Sequence, residues 1–197
     1  MALNLVKGQK LNLTKDNGQE LANVTMGLGW DPVNSGGIFN SFMGGSSGNS
    51  IDLDASAVYL DTNKQLVDSI WFGHKRSDDG SAQHSGDNLT GHGDGDDERI
   101  VINLAAVPSN VQTIALTINS FRGQTFDQVQ SCYCRLFETG NEALTFCTYK
   151  LSEKGSHTAL IMAKLYRHDG KWKIAALGIP CTGKTVQDLM PAIVAAI

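Results

Sequence analysis

Short stretches in which apolar and polar residues alternate recur along most of this chain. A period of two is typical of strands that bury one face, whereas an amphipathic helix repeats every 3.6 residues. Asp169-Gly170 separates two of these stretches and is a strong signal for a two-residue hairpin turn. Many short strands separated by polar turns predict a sandwich of two mainly antiparallel sheets. The predicted strands are residues 24–30, 50–60, 101–104, 113–118, 132–137, 144–151, 159–166 and 173–177.

One helical pattern stands at the end of the chain. Apolar residues from Val186 to Ile197 recur at helical spacing, and Thr185 with Asp188 suits an N-terminal capping box. Pro191 lies inside this pattern, so we expect the helix to kink or split there. The sequence therefore predicts an all-β sandwich with a short C-terminal helix, formed as a single domain over residues 1–197.

Negative charge is concentrated in residues 77–98, which hold seven acids and no lysine or arginine. The whole chain has 20 acids and 16 bases, so the rest is slightly basic. Neighbouring carboxylates repel one another, and a hard cation such as Ca²⁺, with about 6–8 oxygen ligands, would relieve that repulsion. Glycines at positions 91, 93 and 95 favour a chain that curls around an ion. A solvated acidic turn is the alternative, whereas the spacing does not fit an EF-hand.

A second acidic element lies earlier in the chain. On a strand, Asp52 and Asp54 share one face, and Ile51, Leu53 and Ala55 share the other. Two carboxylates side by side on a strand destabilise each other unless something positive lies between them. Asp31, directly after the first long predicted strand, is a third candidate; the alternative for Asp52 and Asp54 is a solvated outer face.

These acidic motifs carry a family resemblance. Residues 27–31 (GLGWD), 52–56 (DLDAS) and 86–98 (GDNLTGHGDGDDE) occur in the order seen in the TerD family, which the chain resembles over nearly its whole length. The resemblance implies a calcium-binding β-sandwich with a role in resistance to tellurite and other chemical stress, and no established catalytic activity. We expect more than one Ca²⁺ ion. The candidate ligands are Asp31, Asp52, Asp54, Asp87, Asn88, Asp94, Asp96, Asp97 and Glu98.

Residues 178–185 match the phosphate-binding pattern G-x-x-x-x-G-K-[ST] in full. Taken alone, this motif indicates a nucleotide hydrolase. Only twelve residues follow Thr185, however, so no later parallel strand can supply the aspartate that positions magnesium in such enzymes. We therefore expect a protein that is not an enzyme, with nucleotide hydrolysis as a remote alternative.

Location and partners follow from weaker signals. The chain has no run of eighteen apolar residues and no signal-peptide pattern, so we expect a cytoplasmic protein without direct membrane insertion. Four cysteines without a CxxC pair are expected to be reduced and mostly buried, with Cys132 and Cys134 on one strand face. The lack of a basic stripe argues against nucleic acid as a partner. The expected partners are calcium ions and other stress-resistance proteins at the inner face of the membrane, and a calcium-dependent adaptor for a membrane-associated partner is the alternative function.

The histidines and the acidic segment carry two further expectations. His84 and His92 flank Asp87 and are expected to be surface loop residues, although their protonation could weaken a cation site near pH 6. The other histidines show no metal-ligand spacing. Leu89 is the only large aliphatic residue between positions 77 and 98, so we expect this segment to be a mobile loop that calcium makes rigid.

Overall fold

The fold is an all-β sandwich with one C-terminal helix, as the alternation of the sequence predicted. The computed structural model describes residues 7–14, 18–31, 51–91, 95–150 and 155–197. Within these ranges a single turn of 3₁₀ helix, Phe126–Gln128, and one α-helix, α1 (Val186–Ala196), accompany eleven strands. The strands are β1 (Lys10–Asn12), β2 (Asn23–Asp31), β3 (Leu53–Leu60), β4 (Leu66–Ile70), β5 (Ala82–His84), β6 (Glu98–Asn103), β7 (Thr113–Ser120), β8 (Gln130–Glu138), β9 (Asn141–Lys150), β10 (Ala159–His168) and β11 (Lys171–Cys181).

The strands form two sheets in which every pair is antiparallel. The six-stranded sheet has the order β1-β11-β10-β7-β3-β4, and the five-stranded sheet has the order β5-β6-β2-β8-β9. The Asp169-Gly170 turn joins β10 to β11 as predicted, with His168 paired to Lys171. Strands β2 and β3 belong to different sheets, so the acidic motifs at their ends lie on facing layers of the sandwich.

The main core lies between the sheets and is built from the apolar positions of each strand. Met26 and Leu28 of β2 and Leu53, Ala55 and Ala57 of β3 all belong to it and are inaccessible to solvent. Each fully buried Met or Leu side chain of this core contributes about 1.5–3 kcal/mol relative to an exposed one. The register of β3 is therefore fixed, because a shift by one residue would turn Asp52 and Asp54 into this core.

Helix α1 covers the outer face of the six-stranded sheet. Val186, Leu189 and Ile193 pack in a second apolar cluster that also holds Val58 of β3 and Ile161 of β10. The predicted capping box is present, since Thr185 and Asp188 cap each other's backbone N–H groups. The helix was expected to kink or split at Pro191; it does not split, because Val186–Ala196 is one continuous helix, and a kink stays a prediction. Packing on the sheet outweighs the local preference against an internal proline.

The acidic segment is more ordered than its composition predicted. Residues 82–84 form β5, which pairs with β6. Ser77 and Ser81 are buried, and Ser81 shares a hydrogen bond of 3.0 Å with the buried hydroxyl of Tyr59. The prediction that His84 is a surface loop residue is wrong, because His84 is only 1% exposed. The composition of the segment did not indicate this burial, because small polar residues, and not aliphatic ones, pack here against the sandwich.

The cysteines are free thiols, and three of them lie in the core. Cys132 and Cys134 share the inner face of β8, as predicted, and Cys147 of β9 is buried with them. Burial raises the pKa of the Cys147 thiol to about 12 and that of the Cys134 thiol well above its usual value. These two thiols therefore stay protonated and poorly nucleophilic. No helix in the described ranges is both long enough and apolar enough to cross a membrane.

Candidate metal centre

Three carboxylates from two parts of the chain meet at one end of the sandwich. One oxygen each from Asp52, Asp54 and Asp87 lies within 4.8 Å of the other two. Asp52 is 3% exposed and Asp54 is 2% exposed, whereas Asp87 faces solvent. We call these three residues the acidic cluster. The structure thus brings together the second motif of the sequence, on β3, and the start of the third.

Strand β3 positions the two buried carboxylates. Asp54 pairs with Asn119 of β7, and the amide of Phe121 extends the ladder by donating to the carbonyl of Asp52 at 3.1 Å. The predicted alternation is confirmed, since Ile51, Leu53 and Ala55 belong to the core on the opposite face. The face that carries Asp52 and Asp54 is not a solvated one, because both residues are buried.

Glu98 joins the two sheets beside the acidic cluster. It begins β6, its side chain is fully buried, and its Oε2 accepts a hydrogen bond of 2.9 Å from the backbone N–H of Ala55 on β3. Its Oε1 accepts a bond of 3.2 Å from the N–H of Asn88. Glu98 therefore holds the loop after β5 against the strand that carries Asp54.

His84 lies behind Glu98, with its Nε2 3.4 Å from Glu98 Oε2. The N–H of Gly86 donates to His84 Nδ1 at 3.0 Å, so Nδ1 carries the lone pair. The ring proton of neutral His84 is then on Nε2, on the side of the buried carboxylate. His84 thus lies against Glu98 within the sandwich, at a contact distance without hydrogen-bond geometry, and does not face the solvent around Asp87.

Asp97 and Asn88 order the loop that carries Asp87. Asp97 Oδ2 accepts from the Trp30 N–H at 2.9 Å, and its Oδ1 accepts from Asn88 Nδ2 at 2.8 Å. Asn88 Oδ1 accepts from the N–H groups of Thr90 and Gly91, both at 3.1 Å. Gly91 has a φ of +63°, and a side chain there would overlap Trp30. Both predicted ligands are therefore used to fold the loop.

The carboxylate of Asp96 has different partners. Arg135 donates to both of its oxygens, at 2.8 and 2.9 Å, and Arg99 Nε lies 2.9 Å from Oδ2. The Tyr133 hydroxyl donates to Oδ1 at 3.1 Å. The Asp96 side chain is fully buried over Gly27, where a Cβ atom would collide with it. The structure therefore places Asp96 in an ion-pair network on the outer face of the five-stranded sheet and does not bring it into the acidic cluster.

Of the two remaining predicted ligands, the structure describes only Asp31. Asp31 is exposed at the end of β2, where it pairs with Gln130 of β8. Its charge is close enough to Asp97 to raise the pKa of that carboxyl, although burial is the larger cause. Asp94 and His92 lie outside the described residues.

Burial and mutual repulsion dominate the electrostatics of the acidic cluster. Burial, followed by the charges of Glu98, Asp52 and Asp87, raises the pKa of Asp54 to about 8. Burial and the charge of Asp87 also raise the pKa of Asp52, whereas Arg122, with Nε 3.6 Å from Asp52 Oδ2, lowers it. Without a cation, Asp54 holds its proton at neutral pH.

The oxygens of the acidic cluster fit a hard divalent cation. Asp52 Oδ1 and Asp54 Oδ1 are buried and have no hydrogen-bond partner in the described part of the chain. Buried carboxylates without partners are costly, so they are normally paired or bound to a metal. Ca²⁺ binds oxygens at 2.3–2.6 Å, so two ligands on opposite sides of one ion can be about 5 Å apart. The three carboxylate oxygens of the acidic cluster lie within 4.8 Å of one another, which is compatible with that span.

Sequence reasoning missed two residues that contact the acidic cluster. Asn119 Nδ2 donates to Asp54 Oδ2 at 2.9 Å and to the carbonyl of Lys184 at 2.7 Å. Arg122 supplies the positive charge near Asp52. Both come from β7 and the turn that follows it, which lie next to β3 only because of the strand order. No local pattern in the sequence signals that pairing.

The phosphate-loop motif does not form a phosphate loop. Gly178 to Cys181 lie in β11, which is antiparallel to β10 and β1. The N–H of Gly183 donates to the Thr158 hydroxyl at 3.0 Å, and the N–H of Lys184 donates to Asp188 at 3.0 Å. Backbone donors that would cradle a phosphate are thus used by the β11–α1 turn.

Comparison with known proteins matches this fold and these motifs to one family. The family model of the TerD domain matches residues 1–191. The chain is 45% identical over 196 residues to "Tellurium resistance protein TerZ" of Serratia marcescens, covering 99% of this chain and 98% of the relative. It is 39% identical over 197 residues to "Stress response protein SCP2" of Bacillus subtilis (strain 168), with 96% and 98% covered.

Solved structures agree with the sandwich. A crystal structure of a homologue of telluride resistance protein (TerD) from Streptomyces coelicolor A3(2) superposes with a TM-score of 0.75 at 20% identity. It covers 90% of this chain and 99% of its own. At that identity the likeness shows the fold alone, whereas the family model and the curated relatives show descent. The chain belongs to the TerD family.

Proposed function

We propose that this protein binds Ca²⁺ at the acidic cluster and acts, without catalysis, in the response to tellurite and other chemical stress. The observation that carries the calcium proposal is the pair of buried oxygens without partners, Asp52 Oδ1 and Asp54 Oδ1. They face the same small region as Asp87, and their carboxylates repel one another. A divalent cation would bind the unpartnered oxygens and would also offset the repulsion between the carboxylates.

Each residue around the cluster has a separate task in this proposal. Asp52, Asp54 and Asp87 supply the ligand oxygens. Asn119 orients Asp54 by donating to its second oxygen, and Glu98 fixes the backbone of β3 through Ala55. When bound, the ion supplies two positive charges that compensate the buried carboxylates. Water and backbone carbonyls complete the ligand set, as is usual for Ca²⁺.

The mixture of buried and exposed ligands favours Ca²⁺ over Mg²⁺. Asp87 lies on an exposed loop, and its carboxylate can adjust to a large ion with variable geometry. Mg²⁺ demands octahedral geometry at 2.0–2.1 Å and loses its water reluctantly. We therefore propose tight Ca²⁺ binding and weaker Mg²⁺ binding. A second ion near Asp31 and Asp97 would account for the further acids of the motif.

The stress-response part of the proposal is supported by the names of the relatives. "Tellurium resistance protein TerZ" and "Stress response protein SCP2" both match almost end to end. "General stress protein 16U" of Bacillus subtilis (strain 168) is 41% identical over 187 residues. The free cysteines suit action in a reducing compartment, and we propose the cytoplasm.

A melting experiment tests the proposal. The protein is unfolded by heat in excess chelator and in excess Ca²⁺, and the same is done for Asp52→Asn and for Asp78→Asn. Asp78 is exposed and lies outside the acidic cluster, so it is the matched control. Linkage predicts about 2.7 kcal/mol of added stability at a free Ca²⁺ concentration 100 times the dissociation constant.

We expect Asp52→Asn to lose most of this gain and Asp78→Asn to keep it. No change in melting temperature with Ca²⁺ in the wild type would sink the calcium proposal. A loss in Asp78→Asn without a loss in Asp52→Asn would show that the ion binds elsewhere. The stress role is tested separately, by tellurite survival of cells with and without the gene and with the Asp52→Asn allele.

A further inference from the structure

A second group of metal-ligating side chains lies at the edge strand of the six-stranded sheet. One ligand atom each from Asp68, His74 and Asp78 lies within 4.8 Å of the other two. Asp68 belongs to β4, and the other two residues follow it in the connection to β5. We call these three residues the edge triad. They share no member with the acidic cluster.

The distances in the edge triad match those between ligands of one metal ion. His74 Nε2 is 3.2 Å from Asp68 Oδ1 and 3.8 Å from Asp78 Oδ1. Ligands bound to zinc at 2.0–2.2 Å with tetrahedral angles stand about 3.4 Å apart. His74 Nε2 is itself a buried atom and has no hydrogen-bond partner in the described part of the chain. His74 Nε2 thus lies close to the Asp68 carboxylate without forming a hydrogen bond to it, and a bound metal ion would satisfy this nitrogen.

The backbone holds the edge triad in place without a metal. The N–H of Asp78 donates to Asp68 Oδ2 at 2.9 Å, and the N–H of Ser69 donates to Asp68 Oδ1 at 2.7 Å. Trp71 and His74 exchange backbone hydrogen bonds of 3.2 and 2.9 Å across a tight turn. The carboxylate of Asp68 is therefore already oriented for a metal, which raises affinity, whereas the Asp78 side chain is 90% exposed and can move onto the ion.

We propose that Asp68, His74 and Asp78 bind a divalent first-row transition metal of the zinc type. Imidazole suits zinc, cobalt and nickel, whereas Ca²⁺ and Mg²⁺ bind oxygen ligands. No lysine or arginine in the described ranges forms an ion pair with either carboxylate, so their negative charge is available to the metal. Three protein ligands leave a position open to water or to a partner. The site goes beyond the calcium proposal and does not depend on it.

Calorimetry with ZnCl₂ on the full chain tests the site. The protein is first saturated with Ca²⁺, and zinc is then titrated in a buffer that does not chelate it. We expect one zinc equivalent in the wild type and at least a tenfold weaker affinity in His74→Gln and in Asp78→Asn. His168→Gln is the matched control, because His168 also lies beside an aspartate, at 2.8 Å, but is exposed and outside the triad. It should bind zinc as the wild type does.

Several results would overturn the zinc proposal. No zinc heat in the wild type, or unchanged zinc affinity in His74→Gln, overturns the proposal. Zinc binding that is lost in Asp87→Asn and retained in His74→Gln would place the ion in the acidic cluster and would overturn it as well. If His74→Gln fails to fold, the wild type still decides the matter. Its His74 ring signals in a ¹H–¹⁵N spectrum must shift on adding zinc and must not shift on adding Ca²⁺.

Discussion

Asp54→Asn should reverse its effect on stability according to whether Ca²⁺ is present. The carboxyl of Asp54 has a pKa of about 8 in the folded protein, against 3.8 for an unperturbed group, because it is buried near other acids. Between these two pH values the folded state holds a proton that the unfolded state has lost. The free energy of unfolding in chelator therefore falls as the pH rises from about 4 to about 8.

The size of this effect follows from the two pKa values. One pH unit is about 1.4 kcal/mol, so the span from 3.8 to about 8 gives an upper limit of about 6 kcal/mol at pH 8 and above. Asparagine has the same shape and no charge. Its carbonyl oxygen can accept the bond from Asn119, and its amide can donate towards the neighbouring carboxylates. We expect Asp54→Asn to be about 1–3 kcal/mol more stable than the wild type in chelator at pH 8.

In Ca²⁺ the order should reverse, because the variant lacks a ligand and the wild type gains binding free energy. Urea unfolding at pH 8, in chelator and in excess Ca²⁺, measures both differences. At pH 5 in chelator the difference between the two proteins should shrink, since the free-energy cost of keeping Asp54 protonated in the folded wild type falls as the pH approaches the unperturbed pKa of 3.8. A variant that is less stable than the wild type in chelator at pH 8, or one that keeps the full calcium response, would refute the reasoning.

Three further predictions follow from the same structure. The melting temperature of the wild type in chelator should fall between pH 5 and pH 8, because the folded state must keep the proton of Asp54. The increase in melting temperature caused by Ca²⁺ should grow over that range. A calcium effect that shrinks with rising pH would contradict the assigned protonation of Asp54. Asp96→Asn should cost about 1–3 kcal/mol in urea unfolding, because it removes the charge that binds Arg135 and Arg99 while both keep their ion pair with Glu142. The calcium-induced gain should be retained. Lys184→Ala should leave calcium affinity unchanged, and ATP should give no binding heat with the wild type, since residues 178–181 lie in a strand. If the wild type binds ATP and Lys184→Ala does not, the motif works as a phosphate loop.

Much of the fold could be read from local patterns. Apolar and polar residues alternate in parts of β2, β7 and β8, and the predicted ranges of these strands and of β10 agree with the structure within a few residues. Among the short strands that were not predicted, β4 and β5 have the sequences LVDSI and AQH, which are too short to show a clear period. Their place is decided by pairing with β3 and β6, which is tertiary information.

The acidic motifs identified the region of the candidate site but not the roles within it. Asp52, Asp54 and Asp87 meet, whereas Asp96 belongs to an arginine network that no spacing in the sequence signals. Arg135 is 39 positions from Asp96 and reaches it because β8 lies next to β2. Carboxylates alike in sequence are thus separated by the sheets into a repelling cluster and a neutralised ion pair.

The central claim is that Ca²⁺ occupies the acidic cluster. The most direct measurement is an anomalous difference map from crystals of the full chain grown in excess Ca²⁺. We predict a peak 2.3–2.6 Å from Asp52 Oδ1 and Asp54 Oδ1, with Asp87 drawn onto the same ion. Calcium-saturated crystals in which both of these oxygens lack a bound ion would contradict the account.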